Sequence, residues 1–231
     1  MGYKGVIFDL FHTLTGPESE WGSLPDTSKV LGVEQNAWNE ALVEGSKWRL
    51  LGQERDALTI IRRLAHSIDP TIPEETIGEA KQIRTQRFRH SLQNIPQKNI
   101  ETLKALRAEG LKLGLLSNAD VSEIEGWSES PLCGSFHTEV FSCEVGHVKP
   151  EPEIYLKCLE LIGLAPEECL FIGDGGSDEL RGAQGVGLTP VFISGVIAEL
   201  WPEVIPSRRA LVEHEIREVP EVFSLLGLTR W

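Results

Sequence analysis

Residues Gly5 to Phe8 form a short, continuously apolar run that stops at an acid, Asp9, and resumes as Leu10-Phe11-His12-Thr13-Leu14. Its length and continuity predict a buried strand, and because a strand interior disfavours Asp, Asp9 falls at the strand's end. From about Pro17 to Gln93 the spacing becomes that of helices. Trp38, Ala41, Leu42, Trp48 and Leu51 recur at helical intervals, as do Leu58, Ile61, Leu64 and Ala65, then Ile77, Ala80 and Ile83. The stretch Asp69-Pro70-Thr71-Ile72-Pro73 separates two of these helices.

Beyond Pro96 the two periods alternate. Ile100, Leu103 and Leu106 predict a helix that Gly110 ends, and Lys112 to Leu116 a strand that ends at Ser117-Asn118. Thr138 to Cys143 predicts a further strand, and Pro150 to about Ile162 a helix. Leu170 to Ile172 reads as a strand closed by Gly173-Asp174, followed by a helix through Ala183 and a strand from Pro190 to Ile193. The tail, Leu211 to Leu226, has room for one more strand and a helix. This alternation predicts an α/β fold, a mostly parallel sheet with helices on both faces, whose ligands bind beyond the carboxyl ends of the strands. Asp9, Ser117-Asn118 and Asp174 each follow a strand directly, so one sheet edge brings them together.

Composition narrows the partners. With 231 residues, 41% of them hydrophobic and 25% charged, the chain can bury a full core and is not extensively disordered. A formal net charge of -13 repels nucleic acid and anionic membrane, so neither is an expected partner. An anionic small-molecule substrate then needs a locally positive site. Cys133, Cys143, Cys158 and Cys169 form no CxxC pair and have no histidine at finger spacing, which predicts free thiols in a reducing compartment and no zinc site. The first apolar run is too short for a signal peptide, no segment reaches membrane-spanning length, and the expected location is cytoplasmic.

Two carboxylates brought together repel each other and desolvate poorly unless a cation lies between them. Oxygen donors without a Cys or His cluster favour a hard ion, Mg²⁺. A carboxylate within reach of a phosphoryl or carbon electrophile can also act as a covalent nucleophile. Positive charge comes from Gly146-His147-Val148-Lys149-Pro150-Glu151-Pro152, where Pro150 restricts Lys149 to an extended backbone and suits the start of the next helix.

Four segments spanning Asp9 to Asp178 resemble, in order and spacing, the motifs of the haloacid dehalogenase-like hydrolases. VIFDLFHTL resembles the nucleophile motif, and LLSN, Leu115 to Asn118, the second motif. GHVKPEPEIY resembles the lysine motif of the branch with a helical cap, and FIGDGGSDELRGAQGVGL the acidic fourth motif. The resemblance implies a Rossmann-like core, residues 1–15 and 96–231, and an α-helical cap, residues 16–95, with the active site between them. It implies that Asp9 is nucleophile and metal ligand, joined by the backbone carbonyl of Phe11 and by Asp174. Asp178 would assist the metal shell or orient Lys149. Ser117, Asn118 and Lys149 would hold the transferring phosphoryl group, with Lys149 offsetting its developing charge, and Thr13 would support the loop around it.

The resemblance also exposes a departure. Phosphatases of this family carry a second Asp, the general acid, where this chain has Phe11, and a Gly where it has His12. The family's dehalogenases carry Tyr at the Phe11 position, because a halide leaves without a proton, but they lack the metal and generally the Gly-Asp pair kept here at Gly173-Asp174. A general acid contributes about 10²- to 10⁴-fold, so a phosphatase without one still serves good leaving groups, or replaces it with His12, His147 or a cap residue. Strand alternation puts Asp9 and Phe11 on one face, so His12 reaches the site only if the chain turns after Phe11. The leading expectation is a Mg²⁺-dependent phosphatase acting through an aspartyl-phosphate on Asp9. A metal-independent 2-haloacid dehalogenase and a non-catalytic ligand-binding relative are the alternatives, with a monomer or homodimer equally compatible. Arg49, Arg84, Arg87 and Arg89 are candidates to meet an anionic group of the substrate, Arg49 foremost. The GDGG run is no dinucleotide fingerprint, since Asp178 stands where its last glycine would, and no Walker or GxSxG motif is present.

Overall fold

Six strands form one parallel sheet in the computed structural model, which describes residues 2–17 and 20–228. Positions 1, 18–19 and 229–231 of the ranges above lie outside the described residues. The strands are β1 (Gly5–Phe8), β2 (Lys112–Ser117), β3 (Thr138–Phe141), β4 (Cys169–Gly173), β5 (Thr189–Ile193) and β6 (His214–Ile216). Their order, β3-β2-β1-β4-β5-β6, is that of a doubly wound Rossmann-like sheet. The chain starts in the middle, runs to one edge, then crosses back between β3 and β4. Phe8 lies beside Leu115 on one side and Ile172 on the other, so Asp9, Ser117 and Asp174 leave the sheet at one edge, at the point where the winding reverses.

Every residue of β1 is buried, because helices cover both faces. Val6 and Phe8 pack with Ile100, Leu103 and Leu106 of α6 (Gln97–Ala108), together with Val222 and Phe223 of α13 (Val222–Leu225). Ile7 points the other way, into Ile154, Tyr155 and Cys158 of α9 (Pro152–Ile162) and Leu180 and Ala183 of α10 (Glu179–Gly185). Each such side chain contributes about 1.5–3 kcal/mol of burial, which is why the run reads as unbroken apolar sequence rather than as an alternation.

Between β1 and α6 come α1 (Thr27–Leu31), α2 (Gln35–Glu44), α3 (Ser46–Leu50), α4 (Ala57–Ile68) and α5 (Glu74–Gln93). They pack a core of their own, including Leu31, Trp38, Ile60, Ile61, Leu64 and Ile77. Asp56 caps α4 by accepting the Thr59 amide at 2.8 Å, and that helix stops at Asp69, where the Pro-rich break begins. None of the helices among the described residues is long and apolar enough to cross a membrane.

Several elements differ from the sequence expectation. The strand expected to reach Cys143 ends at Phe141, because α8 (Ser142–Val145) starts there and the Ser142 hydroxyl is taken up by the backbone of Ala119. The helix expected from Pro150 starts at Pro152; before it the Glu151 amide donates to the Val148 carbonyl at 2.8 Å, closing a turn around Lys149. The short helices α7 (Val121–Ile124), α11 (Gly195–Leu200) and α12 (Ile205–Arg209) have too few residues to show a period.

The inserted helices touch the sheet unit closely at Gly52. Its φ is +67°, and a Cβ there would lie 2.0 Å from the carbonyl oxygen of Cys143, which also accepts a hydrogen bond from Arg55. Gly32 has a similar φ, +69°, with open space around it. Gly32→Ala is therefore expected to cost about 1 kcal/mol of unfolding free energy, the left-handed backbone alone, and Gly52→Ala clearly more. Chemical denaturation of the two variants measures the difference; equal losses would mean that no close approach exists at Gly52.

Candidate active site

The three carboxylates of Asp9, Asp174 and Glu179 converge at the carboxyl edge of β1 and β4, all buried, with ligand oxygens within 4.8 Å of one another. The Lys149 ammonium lies 2.5 Å from Asp9 Oδ1 and 2.5 Å from Glu179 Oε2. Burial raises the pKa of Asp9 and drives that of Glu179 well above its ordinary value, the neighbouring carboxylates add to both shifts, and Lys149 counteracts them. For Lys149, burial works against the charge, but Asp9 and Glu179 outweigh it and its pKa rises. The second cation of the cluster is Arg208 of α12, whose Nη1 donates to the Asp174 carbonyl at 2.7 Å and lies 3.3 Å from its Oδ2. Three carboxyl groups thus share two strong cations, Lys149 and Arg208, in an all-oxygen cluster. This donor set fits a hard divalent cation.

Glu179 is the acid that motif spacing does not indicate. The expected Asp178 stands outside the cluster, its side chain 57% exposed and 3.4 Å from Arg181. The cause is the backbone after Asp174. Gly175, Ser177 and Asp178 all have left-handed φ, which throws Asp178 outward and starts α10 with Glu179 turned back towards the sheet. There its carboxylate accepts the Gly175 amide at 2.9 Å and lies over Gly173, where a Cβ would meet Glu179 Oε1 at 2.2 Å. Asp174 is fixed by the Gly176 amide, 2.9 Å from its Oδ1.

The second segment divides its work. Ser117 closes β2, and its hydroxyl is buried without a partner among the described residues, as a group awaiting a ligand oxygen would be. Asn118, expected to hold phosphate, instead clamps the Lys149 peptide. Its Oδ1 accepts the Lys149 amide at 2.8 Å and its Nδ2 donates to the Lys149 carbonyl at 3.0 Å, which sets where that side chain begins. Thr13 is buried, its hydroxyl likewise unpartnered, and it lines a separate cavity of about 240 Å³ with Thr15 and Asn99.

A larger cavity, about 570 Å³, separates the sheet edge from the inserted helices and is lined by Phe11, His12, Asn118 and Ser177 on the sheet side. The chain does turn after Phe11: His12 has φ +60° and its amide donates to Thr15 Oγ1 at 2.9 Å. The imidazole Nδ1 lies 4.0 Å from Asp174 Oδ2, and the ring stacks on Trp21 at 5.9 Å. His147 does not line this cavity; it sits beside Glu151 and Glu153.

The candidate arginines are all paired with acids. Arg49, expected to bind substrate, is buried and bonds Asp120 at 2.8 Å and Glu123 at 3.3 Å. Arg84 bonds Glu123 at 2.5 Å, Arg87 bonds Asp26, and Arg89 lies near Glu125 and Glu129. Asp120 and Glu123 also form the capping box of α7, so one buried quartet joins α3 and α5 of the insertion to the segment just after Asn118. Burial disfavours the Asp120 charge, yet Arg84 and Arg49 hold its pKa below the ordinary value, whereas burial and Asp120 push Glu123 upward.

Asp9, paired with Lys149 beside Asp174 and Glu179, lies at the switch point of a doubly wound sheet, where open α/β folds bind their ligands. Residues 3–187 match the haloacid dehalogenase-like hydrolase family, and the chain belongs to it. Among curated relatives, it is 34% identical over 97 residues to the glyceraldehyde 3-phosphate phosphatase of Methanopyrus kandleri, spanning 41% of each chain. It is 36% identical over 111 residues to a phosphoglycolate phosphatase of Salmonella typhi, 46% of this chain and 44% of that one. The chain thus matches less than half the length of either relative. In fold it is similar to the L-2-haloacid dehalogenase of Xanthobacter autotrophicus, with a TM-score of 0.65 and 18% identity over 97% of this chain and 98% of that one.

The quartet yields a stability test. Arg84→Met leaves Glu123 buried with weaker compensation and is expected to cost about 3–5 kcal/mol, the toll of breaking a buried ion pair. Arg89→Met, at an exposed pair, is expected to cost less than about 1 kcal/mol. Urea denaturation of both variants checks the contrast.

Proposed function

We propose that the chain is a Mg²⁺-dependent phosphohydrolase acting on a small phosphorylated molecule through an aspartyl-phosphate on Asp9. The observation that carries this reading is the buried cluster itself. Asp9 is held by Lys149, and Asp174 and Glu179 bring two further carboxyl groups to within 4.8 Å, a set of oxygen donors suited to a divalent ion. A site for carbon–halogen cleavage needs no such set. Asp9, Asp174 and the Phe11 carbonyl would hold the ion, with Glu179 beside them, and when bound it would offset charge on the phosphoryl oxygens. The phosphatase names of the curated relatives support the same chemistry.

In this reading the Asp9 carboxylate attacks phosphorus, fixed in orientation by its bond to Lys149. The Lys149 ammonium and the Ser117 hydroxyl take the phosphoryl oxygens, and Asn118 keeps Lys149 in register. The helices within 16–95 serve as the cap that closes over the ester. The four cysteines are free, which supports a cytoplasmic setting. A specific observation favours a second reading, metal-independent 2-haloacid hydrolysis: Phe11 offers no acid, and Arg208 already sits against Asp174.

Turnover of para-nitrophenyl phosphate tests the proposal. Asp9→Asn and EDTA are each expected to abolish it, and equal rates in all conditions would reject it. Glu179→Gln is expected to lower kcat/KM about 10- to 100-fold, as loss of a supporting carboxylate does, and Asp178→Asn at most about twofold. Halide release from bromoacetate in EDTA, without phosphate release, would establish the second reading instead.

A further inference from the structure

We infer that the site is specific for phosphate esters of planar aromatic alcohols, a substrate class that rests on the phosphohydrolase reading above. Two independent features meet at the cavity that Phe11 lines: a wall of rings around Phe11, and an apolar side chain where the leaving group would meet an acid.

The walls come first. Phe11 meets Phe88 edge-on at 5.1 Å and Trp21 at 6.0 Å, and Trp21 meets Phe88 at 5.0 Å. The His12 ring continues this surface, parallel to Trp21 at 5.9 Å and edge-on to Trp201 at 5.2 Å. All of these rings line the cavity of about 570 Å³, a size that suits an aromatic molecule of one or two rings. Trp201 is 38% exposed, a large ring left partly in water at the rim. An inserted aromatic ring would cover it and stack in the geometry these side chains already adopt. Much of the remaining lining is polar, Thr27, Gln35 and Asn39 among it, so the rings form one wall, and against that wall a polyhydroxylated aliphatic group would surrender hydrogen bonds to water.

The second feature is chemical. Phe11 stands beside Asp9 with an apolar ring, so nothing at that position protonates the departing oxygen. A phenol ionises near pKa ~10 and leaves as its anion, whereas an aliphatic hydroxyl resembles water, at about 15.7, and needs a donor. Asp9 forms a bond to phosphorus, the bond from phosphorus to the aryl oxygen breaks, and the electron pair departs with the phenolate, which takes a proton from solvent. Water then attacks the aspartyl-phosphate, releasing inorganic phosphate and restoring Asp9. Charge points the same way. Arg49, Arg84 and Arg87 line the cavity, but each is already paired with Asp120, Glu123 or Asp26, so they offer a poor anchor to the second anion of a small carboxylated phosphate.

The experiment separates ring from leaving group. The full chain in Mg²⁺ is assayed on phenyl phosphate (both features), benzyl phosphate (ring only), acetyl phosphate (leaving group only) and glycerol 3-phosphate (neither). Phenyl phosphate is expected to exceed glycerol 3-phosphate about 10²- to 10⁴-fold in kcat/KM, the scale of an absent general acid. Benzyl phosphate should share its low KM, and acetyl phosphate its high kcat. Quenching of tryptophan fluorescence should show phenylphosphonate binding more tightly than methylphosphonate. Trp201→Ala, at a partly exposed position that the fold tolerates, is expected to shrink that preference about 2- to 10-fold, and Trp201→Phe to restore most of it. Comparable kcat/KM for phenyl phosphate and glycerol 3-phosphate, or an unchanged preference in Trp201→Ala, overturns the inference while leaving phosphohydrolase activity standing. Absence of Asp9-dependent turnover on every ester removes both.

Discussion

The Lys149 ammonium, shared at 2.5 Å between Asp9 and Glu179 with all three groups buried, is the interaction on which the rest of the site depends. Taking these charges out of water costs several kcal/mol for each ion, and that cost is tolerable only while the partners stay in contact. Most of the local architecture serves that contact. The reversal of winding between β1 and β4 brings Asp9 and the fourth segment side by side. The two-sided amide clamp of Asn118 fixes where the Lys149 side chain starts, and the bare Cα of Gly173 leaves room for Glu179.

The molecule divides its labour between charge and shape. The sheet edge collects the ionised groups, and the inserted helices contribute Trp38 and Phe88 to a chamber that also carries polar side chains such as Thr27, Gln35 and Asn39. Between them lies the quartet of Arg49, Arg84, Asp120 and Glu123, whose charges balance internally. Arg49 and Arg84, which read as substrate ligands in the sequence, are therefore occupied in joining the inserted helices to the segment after β2.

The three strands that carry the site were legible because each ends in an apolar run cut off by a polar residue, as at Phe8-Asp9, Leu116-Ser117 and Gly173-Asp174. Lys149 was legible for a different reason, the prolines that flank its segment. Glu179 was not, because Ser177 and Asp178 adopt a left-handed backbone that non-glycine residues rarely take and that no local pattern announces. The adjacent acid pair Asp178-Glu179, with Gly173 at the strand's end, was the one available hint. The acids that pair with Arg49 were not legible, because they lie 71 and 74 residues away. The Asp120-Val121-Ser122-Glu123 spacing of a capping box would have revealed α7, and with it the acids that Arg49 answers.

The buried quartet also binds two distant stretches of this chain into one unit. Its two arginines belong to the inserted helices and its two acids to the start of the helix after β2, so neither half is satisfied without the other. Replacing the inserted helices alone would strand Asp120 and Glu123 in a dry interior, and moving them to another sheet would orphan the arginines. For an engineer, α3, α5 and α7 are therefore a single part despite their separation along the chain.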